Sequence, residues 1–205
     1  MRQALWLLIF FAVLIWSGIY PKDTYTWFLE VLPALVAGGI LAATRQSFPL
    51  TPMAYTLILV HAIILMIGGH YTYAEVPFGD LFGATRNNYD KLGHFAQGFI
   101  PALVAREVLL RKDVIPARGW LNFFIVCLCL AVSAFYELIE WWIALFSEEA
   151  AESFLGTQGY VWDTQSDMAF ALLGAIAALL LLSRRHDRQL ASLMAPAGKG
   201  RRKRT

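Results

Sequence analysis

Carboxylates, a histidine and a serine recur at helical spacing in three separate stretches of an otherwise apolar chain. In Asp90-Lys91-Leu92-Gly93-His94 the four-residue step puts Asp90, His94 and Gln97 on one helix face. In the stretch from Ser133 to Glu140, Ser133, Glu137 and Glu140 follow i, i+4, i+7 spacing, and Asp163 and Asp167 again stand four apart. Carboxylates gathered at close range in a low-dielectric setting repel one another. Some must therefore be protonated, paired with His94, Lys91 or Arg86, or bound to a cation, and acid/base chemistry then becomes available. The residue types suggest roles. His94 is a candidate general base or nucleophile, Glu137 a general acid or orienting group, and Asp167 a catalytic carboxylate that with Asp163 holds a hard divalent cation. Arg86 and Lys91 are the basic candidates for a phosphate, with Asn87 and Asn88 as neutral donors, and Asp90, Ser133 and Glu140 complete the substrate side. Plainer uses compete: interhelical hydrogen bonds, Asp90 capping its helix, Asp163 or Ser166 capping another, and Lys91 snorkelling outward.

The elements that must position these groups follow from composition. The 205 residues are 58% hydrophobic and 16% charged, against roughly 45–50% and about 25% in soluble domains, which points to a membrane protein. Six segments approach the roughly 20 apolar residues needed to span a bilayer: Ala4 to Ile19, Thr26 to Ala43, Met53 to Gly69, Leu92 to Leu110, Gly119 to Phe146 and Asp167 to Ser183. The expected fold is all-α, a single six-span bundle over residues 1–183 followed by a basic tail over 184–205. Ser17 to Asp23 lacks a small-residue cleavage pattern, so the first segment reads as an anchor.

Lysine and arginine are retained on the cytoplasmic side. Fourteen of the 17 fall on the side of the termini, and only Lys22, Arg86 and Lys91 on the other, so both termini are expected inside. The three polar faces then meet at the outer ends of the fourth, fifth and sixth spans, in one shallow pocket. Glu30 and His70 could join its wall, while His61 sits near mid-span as a candidate for an interhelical hydrogen bond. Trp27, Tyr71, Tyr73, Trp141, Trp142 and Trp162 read as interface anchors, and Cys127 and Cys129 as small buried hydrophobes. The closing Arg201-Arg202-Lys203-Arg204 reads as a solvated tail or a contact for anionic lipid. No aromatic residue interleaves those charges, which excludes nucleic acid as a partner.

Across nearly its whole length the sequence resembles the YjdF family of bacterial inner-membrane proteins, a resemblance that implies an inner-membrane location and transfers no activity. More distantly, Asp90-Lys91-x-x-His94, Ser133-x-x-x-Glu137 and Asp167 followed by Gly174-Ala175 look like the three motifs of VanZ-like membrane proteins. That likeness implies Asp90, Lys91, His94, Glu137 and Asp167 as site positions and a headgroup of lipid or cell wall as substrate. Glu140 stands where VanZ-like proteins often have glutamine and Ala171 where they often have asparagine, and no arginine lies in the loop before Asp167. A mechanism needing those groups does not transfer.

The leading expectation is an integral-membrane enzyme acting at the outer face on a lipid-linked phosphate or sugar headgroup, with membrane lipids as partners. A small proton-coupled transporter using Glu30, His61, Glu137 and Glu140, and a noncatalytic assembly factor, are the rivals. The sequence has no Gly-rich nucleotide loop, haem-attachment motif, zinc-spacing cysteine set or serine-hydrolase elbow.

Overall fold

The computed structural model describes residues 3–77, 79, 86–146 and 160–195. They form six helices with no strand among the described residues: α1 (Gln3–Gly18), α2 (Thr24–Thr44), α3 (Pro52–His70), α4 (Tyr89–Arg111), α5 (Arg118–Phe146) and α6 (Asp163–Met194). Local chemistry sets several boundaries. Asp23 accepts the Thr26 N–H at the start of α2, while Thr51 caps α3 ahead of Pro52 in its first turn.

Four helices, α2, α3, α5 and α6, are long and apolar enough to cross a membrane. The 16-residue α1 is apolar but shorter. The polar α4 carries Asp90, Lys91, His94, Arg106, Glu107 and Arg111, and the bundle encloses it. Nine of its 23 residues are buried, His94, Arg106 and Glu107 among them. Small residues bring α4 against α6 at backbone distance. A Cβ on Gly98 would collide with the Ala171 carbonyl, and one on Gly174 with the Phe95 carbonyl.

Among its described residues, α5 buries only a narrow row, Leu121, Ile125, Cys129, Ser133 and Glu137. Every fourth residue thus faces the bundle, and the remaining surface is exposed or half-buried. Cys127 lies off that row and is exposed, which corrects its reading as a buried hydrophobe; Cys129 lies on the row and is buried.

Contacts fix the alternating direction of the helices. Lys22 N–H bonds to the His70 carbonyl, joining the start of α2 to the end of α3, and Thr51 N–H bonds to Glu107, joining the start of α3 to the end of α4. One end of the bundle, the acidic end, collects the starts of α2, α4 and α6. The other, the basic end, collects their finishes.

At the basic end a buried network closes around Glu107. The carboxylate accepts from Thr51 N–H and Oγ1, from Arg111 at 2.8 Å and from His186 Nε2 at 3.1 Å. Arg106 reaches His186 Nδ1 and pairs with Asp187 at 2.7 Å. The helix therefore does not stop at Ser183. It runs on to Met194 because His186 and Leu190 continue the buried row of Ala171, Ala175 and Ala178, so the first part of the expected tail is packed helix. The Arg201-Arg202-Lys203-Arg204 cluster lies outside the described residues.

Candidate functional site

The acidic end gathers the three polar faces. Asp90, His94 and Gln97 come from the first turns of α4, Ser133 and Glu137 from the buried row of α5, and Asp163 and Asp167 from the start of α6. His94 is the hub and is 6% exposed. Its Nε2 lies 3.4 Å from Asp90 Oδ1, and its Nδ1 lies 2.9 Å from Gln97 Oε1 and 3.7 Å from Glu137 Oε1. Asp167, 3% exposed, closes the group from α6: one ligand atom from each of Asp90, His94 and Asp167 lies within 4.8 Å of the others.

Glu30 of α2 joins the cluster as expected. It accepts the Tyr136 hydroxyl at 3.2 Å and a hydrogen bond from Tyr73. Glu140 is half-buried and lies in electrostatic range of Glu137, His94 and Glu30. Ser133, fully buried one turn from Glu137, has no hydrogen-bond partner at its Oγ.

Arg86 is placed differently from a free phosphate contact. It forms ion pairs with Asp163 and, at 3.5 Å, with Asp90 Oδ2. Asp163 therefore faces a guanidinium, and Asp90 is the residue that lies beside His94 and Asp167. Lys91, about 100° round the helix from Asp90, donates to Asn88 Oδ1 and looks onto a different flank. There Asn88, Lys91, Leu92, Phe95 and Phe170 line an open groove of ≈ 390 Å³. Tyr160 links groove and cluster, its ring lying 5.3 Å from the Arg86 guanidinium and 5.7 Å from the Lys91 ammonium. Asn87 supports the approach to α4, accepting from Tyr89 N–H and donating to the Val76 carbonyl.

Two expectations are corrected. Tyr73 is not an interface anchor but a buried wedge. Consecutive residues at positive φ, Thr72 and Tyr73, turn the chain back after α3, and the ring enters where Gly68 and Gly93 leave room for it. Burial, reinforced by the Glu30 carboxylate, holds the Tyr73 phenol well above its ordinary range, so it stays a donor. His70 does not line the cluster. Its Nδ1 lies 2.9 Å from the Ser17 carbonyl and its ring packs on Trp16. His61 is half-buried, with no hydrogen-bond partner at Nε2.

Sequence reasoning missed Tyr73, Tyr160 and the Thr51–Glu107–His186 network. Tyr73 offered one signal, the two glycines at Gly68 and Gly69 before it.

Comparison with known proteins places this architecture. A family model described as a predicted membrane protein (DUF2238) matches residues 2–188. The chain belongs to this family. It is also 54% identical over 182 residues to the inner membrane protein YjdF of Escherichia coli (strain K12), covering 87% of each chain. No solved structure matches it. The DUF2238 match takes in the whole acidic-end cluster and ends within the His186 network. The likeness to VanZ-like proteins rests on the three motifs alone.

Proposed function

We propose that this DUF2238 protein is a multi-pass inner-membrane enzyme, with both termini cytoplasmic, that modifies or hydrolyses phosphate- or sugar-linked lipid headgroups at the outer face. The reading is carried by one observation: His94 is held among Asp90, Glu137 and Asp167, carboxylates from three helices, in a buried setting. Such a group has a nitrogen on which chemistry can turn and, in Glu137, a carboxylate to take or give the proton. The Lys91 groove at the same end supports a lipid substrate, since an ammonium above Leu92, Phe95 and Phe170 suits a phosphate carried on an apolar chain. The relative's inner-membrane name supports the location, and the 14-to-3 distribution of basic residues supports the orientation.

Comparative lipid profiling of membranes carrying wild type, His94→Ala or Glu137→Gln tests it. Both variants are expected to accumulate to normal levels and to lose the lipid change made by the wild type. Wild-type-like profiles from both would sink the proposal.

The unpartnered Nε2 of His61 favours a second reading, proton-coupled transport. Against it, Gln97 and Arg106 are separated by nine residues, about 13 Å of helix, packed on Ile125, Cys129, Ala175 and Ala178. Substrate-dependent flux in proteoliposomes without headgroup chemistry would establish the second reading instead.

A further inference from the structure

The carboxylates of the acidic end do not pair off among themselves and their basic neighbours. Arg86 takes Asp163 and the outer oxygen of Asp90. The inner oxygen, Oδ1, is left facing His94 Nε2 at 3.4 Å. The ring itself is oriented from its far side, where Nδ1 lies 2.9 Å from the Gln97 side-chain oxygen. Nε2 and Oδ1 thus face each other across a gap that either the proton of an ion pair or a metal cation fills. Asp167 gives an independent sign of a missing positive group. It is 3% exposed, its Oδ1 has no hydrogen-bond partner, and it reaches the same point from α6.

We propose that Asp90 Oδ1, His94 Nε2 and an oxygen of Asp167 form the binding site of a divalent transition-metal cation of the zinc class. Imidazole selects transition metals over magnesium and calcium, and one nitrogen with two carboxylates leaves a tetrahedral ion a fourth position for water or substrate. Bonds of about 2.0–2.2 Å put the ligand atoms of such a site roughly 3.3–3.5 Å apart. Asp90 and His94 already have that spacing, and Asp167, within 4.8 Å of both, closes onto the ion by turning its side chain. Gln97 holds the His94 tautomer in the way that metal-bound histidines are commonly held. Glycine-mediated packing of α4 on α6 fixes the distance between the two helices that supply the ligands.

The site deepens the proposed lipid chemistry and rests on that reading for its role alone. With the ion bound, His94 serves as a ligand, the ion polarises a headgroup oxygen, and Glu137 remains the proton carrier.

The test is metal uptake by the full chain purified in detergent, stripped with chelator and titrated with Zn²⁺ and, separately, Mn²⁺. Wild type is expected to take up about one zinc ion per chain and Glu137→Gln to do the same. Asp167→Asn and His94→Gln are expected to lose the ion, and Gln97→Leu to bind it about 10–100-fold more weakly. Co²⁺ in the wild type gives visible bands of nitrogen and oxygen ligation, a readout that needs no variant to fold. A wild type that takes up neither metal overturns the site, as does an Asp167→Asn protein that binds like the wild type. Stoichiometric zinc with unchanged lipid profiles would refute the lipid reaction and keep the site, whereas lipid turnover by metal-free protein would keep the reaction and overturn the ion's role in it.

Discussion

Both ends of α4 hold a histidine among carboxylates, yet the two groups are built to different standards. At the basic end Glu107 is covered by a backbone N–H, a hydroxyl, a guanidinium and an imidazole, and His186 is bonded through both ring nitrogens. Only Arg106 Nε is unpartnered there among the described residues. At the acidic end Ser133 Oγ and Asp167 Oδ1 are buried without hydrogen-bond partners, and Glu137 meets His94 only at 3.7 Å. Burying a polar group unsatisfied costs about 1–3 kcal/mol, more if it is charged. On the proposed reading, a fold that satisfies one network and leaves the other open uses the first as a fastening and keeps the second for a ligand.

Removing the carboxylate of Glu107 should have the largest effect. Glu107→Ala leaves His186 and Arg111 without their central partner and should destabilise the protein by about 3–5 kcal/mol, read from denaturant unfolding in detergent. Gly98→Ala comes next, because its Cβ meets the Ala171 backbone, which cannot yield as a flexible side chain would. A loss of about 1–3 kcal/mol is expected, together with weaker metal uptake at the acidic end. Tyr73→Phe removes the bond to Glu30 and should cost about 0.5–1.5 kcal/mol. Asp167→Asn should change stability least, by about 1 kcal/mol or less in either direction, because it removes a carboxylate whose buried Oδ1 has no hydrogen bond to lose and which lies among several like charges. If Asp167→Asn unfolds as readily as Glu107→Ala, the contrast between fastening and open site is broken.

The acidic end was legible in the sequence because helical spacing and alternating spans each speak to it. Asp90 with His94, Ser133 with Glu137 and Asp163 with Asp167 each lie one turn apart, and antiparallel order brings their ends together. Pairings within the cluster were not legible. Nothing in spacing says that Arg86 turns to Asp163, leaving Asp90 to His94. The basic end was nearly silent, since Thr51, Glu107 and His186 lie 56 and 79 residues apart and His186 falls beyond the point where hydropathy ends the last span. Tyr73 was misread for a different reason. Its burial depends on two residues at positive φ, a choice driven by the space over Gly68 and Gly93 and not by local preference.

One unbroken rod, α6, carries a member of each network. From Asp167 to His186 is 19 residues of helix, about 28 Å, close to the roughly 30 Å of hydrocarbon in a bilayer. The two charged layers are thus gauged to the two faces of the membrane by a single stiff element. A bilayer of different thickness would have to be met by tilting the whole bundle, because sliding one network toward the other would require α6 to break.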